Sequence, residues 1–365
     1  MKNTFGNSVS ITLFGESHGD MIGAVLDGLA PGIAVDESFI AQQLMLRRPQ
    51  GKISTARQEP DPFQIVSGVH QGYTTGTPVC ILIPNMNVRS ADYRELKDLA
   101  RPGHADLAAR FKYHGFEDRR GGGHFSGRLT APLVAAGSIV LAALKSKGII
   151  IGTHIKKCAG IEDRDFLDMQ ADIALLNQKS FAVLDSNKEN EMIQAIEAAA
   201  ADKNSVGGVL ETSVIGVPAG IGEPWFDALE GVLAHALFSI PAVKGVEFGA
   251  GFRLADLTGS EANDSFCGND GSVISLTNQN GGVNGGISNG MPIIFRCAVK
   301  PTPSIGLPQK TVDMATGENA IIEIKGRHDP AIIHRARVVV DSITALALSD
   351  QLVLRYGTDW LGGNN

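Results

Sequence analysis

The chain has 365 residues, 43% of them hydrophobic, enough to bury one large core or two modest ones. Its formal charge of −7, from 39 acidic against 32 basic residues, gives no whole-chain attraction to nucleic acid or to an anionic membrane, so any anion must be held locally. Cys80, Cys158, Cys267 and Cys297 lack C-x-x-C spacing, which argues against a zinc site or a disulfide framework and for a reducing cytoplasm.

The N-terminus, Met1 to Asn7, turns polar before a signal-like apolar run can form. Val9-Ser10-Ile11-Thr12-Leu13 alternates as a strand does, and Ile22 to Asp27 predicts a second, so the loop Gly15-Glu16-Ser17-His18-Gly19 is held from both sides. Asp36 is expected to cap a helix running to about Leu46, which empties into a basic turn containing Arg47, Arg48 and Lys52. Residues 63–84 read as strands, His104 to His114 as a short helix, and Ser126 to Lys147 as a long helix so apolar that it must lie inside. Its longest apolar run, Ala131 to Leu144, is too short to span a bilayer. From 148 to 216 the pattern is strand, acidic connector, helix from about Asn190 to Asp202, then strand from Gly207 to Ile215. A helix is predicted over Trp225 to Phe238, a strand over Pro292 to Val299, and a last helix after Pro330. No G-x-G-x-x-G opens a helix after a strand, so a dinucleotide fold is not favoured. With no disordered linker or short-period repeat, residues 1–365 are expected to form one domain.

Several loops carry chemistry. His18 sits where Gly15 and Gly19 relieve steric limits, and an imidazole there suits a general acid; the alternative is a ring hydrogen-bonded to its own loop. Ser17 is no hydrolase nucleophile, because its turn joins strand to strand rather than strand to helix. His104 follows Arg101 at a helix start, and both disfavour the imidazolium unless an anion binds; otherwise His104 only helps to cap the helix. His70, His114, His154, His235 and His334 lack such company and are assigned no role. Gly121-Gly122-Gly123 lets backbone N–H groups approach a phosphate, with a hydroxyl from Ser126 and a charged fork from Arg128. Asn280 to Gly290 either wraps a flat ring or forms a surface turn. Lys300-Pro301-Thr302-Pro303-Ser304 gives a cation and two hydroxyls on a stiffened backbone, a second phosphate cradle. Arg47, Arg48, Lys52 and Arg57 form the densest basic cluster, by default a solvated turn. Asp329 is an N-cap, a base, or both.

The order of these motifs resembles the chorismate synthase family over nearly the whole length. It runs through Phe14-Gly15-Glu16-Ser17-His18-Gly19, Arg47-Arg48-Pro49, Arg57-Gln58-Glu59-Pro60-Asp61, Thr74-Thr75-Gly76-Thr77-Pro78, Arg89-Ser90-Ala91-Asp92-Tyr93, Arg101 to Asp106, Gly121 to Gly123, Ser239 to Glu247, Gly285 to Gly290, Lys300-Pro301-Thr302 and Gly326-Arg327-His328-Asp329-Pro330. The resemblance implies an α+β fold, a single-domain β-α-β sandwich with central helices packed between antiparallel sheets, assembled as a homotetramer. It also implies a carbon–oxygen lyase that converts 5-enolpyruvylshikimate 3-phosphate to chorismate with loss of phosphate, on reduced FMN that is not consumed overall. The electrons would come from NADPH or from an external flavin reductase. The competing readings are a flavin- or phosphate-binding homologue without turnover, and a phosphate-ester hydrolase, the latter weakened by the lack of a metal-ligand motif.

Carried over by position, the resemblance implies that His18 protonates or binds the departing phosphate, His104 meets the reduced flavin and Asp329 helps it take up the substrate proton. Arg47, Lys52, Arg57, Arg101 and Arg128 would neutralise the substrate's anionic groups. His124, Phe125, Ser126, Ala242, Gly285, Lys300, Pro301, Thr302, Pro303, Ser304 and Arg327 would hold FMN. This chain departs from the family's usual arginine and serine at His124 and Phe125, from alanine at Gly127, from arginine at Lys52, from a frequent asparagine at Pro241 and from glutamate at Asp341.

Overall fold

The computed structural model describes residues 2–49, 51, 53–55, 60–86, 98–269, 272–324 and 329–362; Lys52, Arg57 and Arg327 lie outside the described residues. One sheet joins β1 (Thr4–Phe5), β2 (Ser10–Gly15), β3 (Met21–Asp27), β4 (Gln64–Ser67) and β7 (Val79–Pro84) in the order β1-β2-β3-β7-β4. The other joins β8 (Ile150–Cys158), β9 (Ile161–Glu162), β10 (Gly208–Ile215), β11 (Val243–Phe248) and β16 (Ile293–Val299) in the order β11-β16-β10-β8-β9. Every pairing in both is antiparallel. Two-stranded hairpins branch from the connections: β5 (Val69–His70) with β6 (Tyr73–Thr74), β12 (Phe266–Asn269) with β13 (Ser272–Ser275), β14 (Val283–Asn284) with β15 (Ile287–Ser288), and β17 (Gln309–Val312) with β18 (Asn319–Ile322).

Between the sheets lie α1 (Glu37–Arg47), α3 (Thr130–Ser146), α6 (Leu229–Phe238) and α8 (Ile333–Tyr356); α3 rests on β3 and β7, α8 on β8 and β10, and the two helices pack on each other. The fold is the expected α+β sandwich. Strand alternation supplies each sheet's inner face, as with Val79, Ile81 and Ile83 on β7 and Ile293, Phe295 and Cys297 on β16. At the α3–α8 crossing a Cβ on Gly137 would come within 2.9 Å of Ser342 Cα, so the small residues of α3 set how closely the helices approach. The remaining helices, α2 (Asp106–Tyr113), α4 (Met169–Leu176), α5 (Ser186–Ala201) and α7 (Gly259–Ala262), lie in the connections.

Caps explain most of the shifted boundaries. Asp36 accepts from Ser38 and Phe39 N–H and starts α1 as expected. Asp168 caps α4, a helix missed inside the acidic connector, and Asp185 starts α5 at Ser186 rather than near Asn190. The long apolar helix splits: Ser126 accepts from Arg128 N–H to cap a single 3-10 turn, Gly127–Leu129, before α3. Together Gly127–Ser146 spans 20 residues with a mean hydropathy of 1.6, within the Ser126–Lys147 expected but, unlike the Ala131–Leu144 run alone, enough by length to cross a bilayer. With 72% of its window buried inside the fold, it is a core helix here. Trp225–Asp227 likewise forms its own turn ahead of α6. α8 starts only at Ile333 with no side-chain cap, so the reading of Asp329 as its N-cap is corrected.

α8 is buried on all sides from Arg337 to Val353, and two of its acidic side chains have a structural setting. Asp350 accepts from the N–H groups of Asn7, Ser8 and Val9 and so fixes the start of β2. Burial pushes the Asp341 carboxyl up to about 6 against the pull of Arg337 and of a 2.6 Å hydrogen bond from Thr153 Oγ1.

On the opposite face of the second sheet His154 is wholly buried, with Nδ1 2.8 Å from Asp163 Oδ2 and Nε2 3.1 Å from Glu211 Oε1. Burial opposes charge on this ring, but the two carboxylate hydrogen bonds outweigh it and raise its pKa above the usual 6.5. A raised folded-state pKa contributes stability that is fully present below the unfolded value and is lost as pH climbs through the folded one. His154→Gln is therefore expected to lower stability by about 1.5–3 kcal/mol at neutral pH and to flatten the decline of Tm on the alkaline side. Thermal unfolding across pH checks this; an unchanged Tm profile would contradict it.

Candidate active site

The site grows from the end of β2. Gly15 closes the strand with a left-handed φ of 98°, and the loop after it folds against the glycine turn ahead of α3. Ser17 N–H donates to Gly123 O at 3.1 Å, and His124 Nδ1 donates to Gly15 O at 2.8 Å. Gly121, Gly122 and Gly123 all take positive φ, and a Cβ on Gly121 would strike the His18 ring, so the absence of a side chain there lets His18 lie against the turn. Ser17 and His18 are both buried, and Ser17 Oγ has no hydrogen-bond partner among the described residues. The His18 ring is thus seated against a second loop as well as its own.

Gly122 also approaches Arg101, whose guanidinium forks onto Asp106 with two 2.7 Å hydrogen bonds. Burial works against the Asp106 charge, but these bonds win and hold its carboxyl below the usual range. His104 does not cap α2, whose N-cap is Ala105; its Nε2 lies 2.8 Å from Ser304 Oγ. Burial first, then Arg101 and Lys300, drive its pKa down to about 4, with Asp106 opposing, so the ring is neutral at physiological pH. The helix terminus and guanidinium invoked from sequence are thus secondary to desolvation. Lys300 Nζ donates to Gly103 O at 2.5 Å and Lys300 N–H to Ala242 O at 3.0 Å, which brings the 300–304 strip and Ala242 to the His104 loop. Thr302 O accepts from Ser205 Oγ at 2.6 Å, while its buried Oγ1 has no hydrogen-bond partner among the described residues.

Arg47, where the basic turn begins, is not solvated. Arg47 is buried and pairs with Asp61 Oδ2 at 3.2 Å; Arg128, also buried, binds Asp61 Oδ1, and Arg48 approaches Oδ2 at 3.8 Å. Arg128 Nε further donates to Asn85 Oδ1 at 3.0 Å, and Asn85 Nδ2 donates to Glu16 O and Gly19 O, so this arginine is tied to the His18 loop. Asp329 binds Arg335 through Oδ2, and its buried Oδ1 has no hydrogen-bond partner among the described residues.

Two of the residues implied to hold FMN make contacts within the fold. His124 is turned to Gly15, and Phe125 sits edge-on to Tyr113 with centroids 6.0 Å apart and its ring partly exposed. Gly285 lies in the β14–β15 turn beside the N-terminal end of α6, whereas Ala242 follows its C-terminal end, so no described contact joins Gly285 to the His104 cluster. Asp61, Asp106 and Asn85 were given no role from sequence, and neither was His334, whose Nε2 lies 2.8 Å from Ser54 Oγ and fastens the segment after α1 to α8. Burial holds the His334 ring down to about 4. A cavity of 690 Å³ opens on the outer side of the second sheet around Lys156, Glu211 and Arg296, away from all of these residues, with those three charges already paired.

The family model for chorismate synthase matches residues 9–353. The chorismate synthase of Pyrococcus abyssi (strain GE5 / Orsay) is 46% identical over 350 residues, covering 96% of this chain and 97% of its own. That of Dehalococcoides mccartyi (strain ATCC BAA-2266 / KCTC 15142 / 195) is 44% identical over 359 residues, covering 98% of each. A solved crystal structure of chorismate synthase matches with a TM-score of 0.77 at 28% identity, covering 98% of this chain and 95% of that one. With the loops of His18, His104, Gly121 and Lys300 converging in this sandwich and the match running from β2 into α8, the chain belongs to the chorismate synthase family.

Proposed function

We propose that this chain converts 5-enolpyruvylshikimate 3-phosphate to chorismate by anti-1,4-elimination of phosphate and a proton, a carbon–oxygen lyase step of aromatic amino-acid biosynthesis run with reduced FMN in the site. The observation that carries the reading is the meeting of His18, the glycine turn, Arg101, His104 and the Lys300–Ser304 strip, the last contact spanning 200 positions. The hydrogen lost is not acidified by a carbonyl, so no ordinary side-chain base removes it unaided. Reduced FMN, when bound, supplies the transient electron donation that expels phosphate first.

The residues present fit that group. Thr302 Oγ1 is a buried hydroxyl still lacking a partner among the described residues, in the same strip as Lys300 and Ser304, and an anionic oxygen would satisfy it. Lys300, Pro301, Thr302, Pro303, Ser304, Ser126, Ala242, Gly285 and Arg327, with neutral His104, are the residues that would hold it. His18 binds the departing phosphate and gives it a proton. Arg47, Arg101 and Arg128, with Lys52 and Arg57, neutralise the phosphate and carboxylates, each contact gaining strength as water leaves. Asp329 receives a proton at Oδ1, the oxygen that Arg335 does not occupy.

The chain acts as one domain within a cytoplasmic homotetramer, its flavin reduced by NADPH or by a separate reductase. Purified protein, kept anaerobic with dithionite-reduced FMN, is expected to release chorismate and phosphate in equal amounts. A hydrolase would release phosphate without chorismate, and a binding homologue neither. Turnover in air with NADPH alone would assign the reductase step to this chain; turnover only with dithionite or an added reductase would assign it elsewhere.

A further inference from the structure

Asp61 has no exposed side-chain surface, yet it is surrounded by cations: Arg47 at 3.2 Å and Arg48 at 3.8 Å on Oδ2, and Arg128 on Oδ1. One carboxylate joins three guanidiniums at the point where α1, the segment before β4 and the turn before α3 meet. Like charges a few ångströms apart repel by about 4 kcal/mol per pair at an effective dielectric constant near 20. A carboxylate shared among them offsets that repulsion. Its position is costly in itself, because Asp61 adopts a left-handed φ of 45° that aspartate and asparagine tolerate better than other side chains. From Asp61 the contacts continue through Arg128 to Asn85 and the carbonyls of Glu16 and Gly19, on either side of His18.

We propose that Asp61 is a positioning residue for the elimination: it gathers Arg47 and Arg128 into one fixed anion receptor and aligns that receptor with the His18 loop, so that the substrate's anionic groups meet preorganised cations. The inference rests on the reading of Arg47 and Arg128 as substrate-binding. It goes further in assigning their geometry to a carboxylate that never touches substrate.

The test uses the FMN-loaded enzyme. Asp61→Asn keeps the shape and the left-handed backbone but removes the charge. It is expected to raise the Kd for 5-enolpyruvylshikimate 3-phosphate about tenfold or more and to lower kcat, while FMN affinity stays within about twofold. Should that variant not fold, Asp61→Glu carries the test, since it keeps the charge but displaces it by one methylene, and the same rise in Kd is expected. A Kd that is unchanged or tighter in the folded variant would overturn the proposal. Arg47→Ala separates the two levels: if it weakens binding while Asp61→Asn does not, only the Asp61 role fails. If Arg47→Ala and Arg128→Lys both leave Kd unchanged, the arginine reading fails and the Asp61 role with it.

Discussion

Gly121→Ala is expected to lower kcat/KM by about two orders of magnitude and to reduce Tm, although it adds a single methyl group. A Cβ at this position would run into the His18 ring and come within 2.8 Å of Ser17 Oγ. Both side chains are buried, at 7% and 0% exposure, so neither can swing into solvent to make room. The backbone φ of 61° adds a left-handed penalty of about 1–2 kcal/mol for any residue with a Cβ. What gives way is the seat of His18, and displacing a catalytic group by about 1 Å costs about a hundredfold in rate. Gly127→Ala supplies the control, because nothing lies within 4 Å of its Cβ position and its φ is unstrained. Kinetics and thermal unfolding of the pair check the argument; similar, near wild-type rates in both would refute it.

Asp329→Asn is expected to reduce kcat by about 10²–10³-fold with little change in substrate or FMN affinity. Asparagine is nearly the same shape and can still accept from Arg335, so the tie at the start of α8 persists. What disappears is an oxygen able to take a proton. The buried Oδ1 lacks a hydrogen-bond partner among the described residues, and leaving such a group unsatisfied costs about 1–3 kcal/mol unless a ligand or the reaction uses it. Stopped-flow measurement of product formation, alongside equilibrium binding of both ligands, separates a lost proton acceptor from a damaged pocket. A rate near wild type would remove Asp329 from the chemistry.

Local signals carried much of the fold. Asp36 announced α1, strand alternation announced β2, β3 and β7, and the apolar run from Ala131 marked the helix buried between the sheets. Boundaries failed where a cap was hidden among other acids, as with Asp168 and Asp185, or where a glycine turn preceded a helix, as at Gly127. In the site, the motif residues were visible because glycine, histidine and arginine are unusual in such company. Their partners were not. Asp61 reaches Arg47 across 14 positions and Arg128 across 67, and Ser54 reaches His334 across 280, so no local pattern marks either pairing. His154 sits in an apolar strand whose carboxylate partners, Asp163 and Glu211, arrive from a loop and a neighbouring strand. The solvated basic turn expected at Arg47 was wrong for the same reason: a distant carboxylate makes its burial affordable.

The most direct test of the account is a structure of the protein with FMN and 5-enolpyruvylshikimate 3-phosphate bound together. The account predicts the flavin against His104 and the Lys300–Ser304 strip, the substrate phosphate within hydrogen-bond reach of His18, and Arg47 and Arg128 on the substrate's anionic groups. Ligands bound apart, or His18 and Asp329 turned to bulk solvent in that complex, would contradict it.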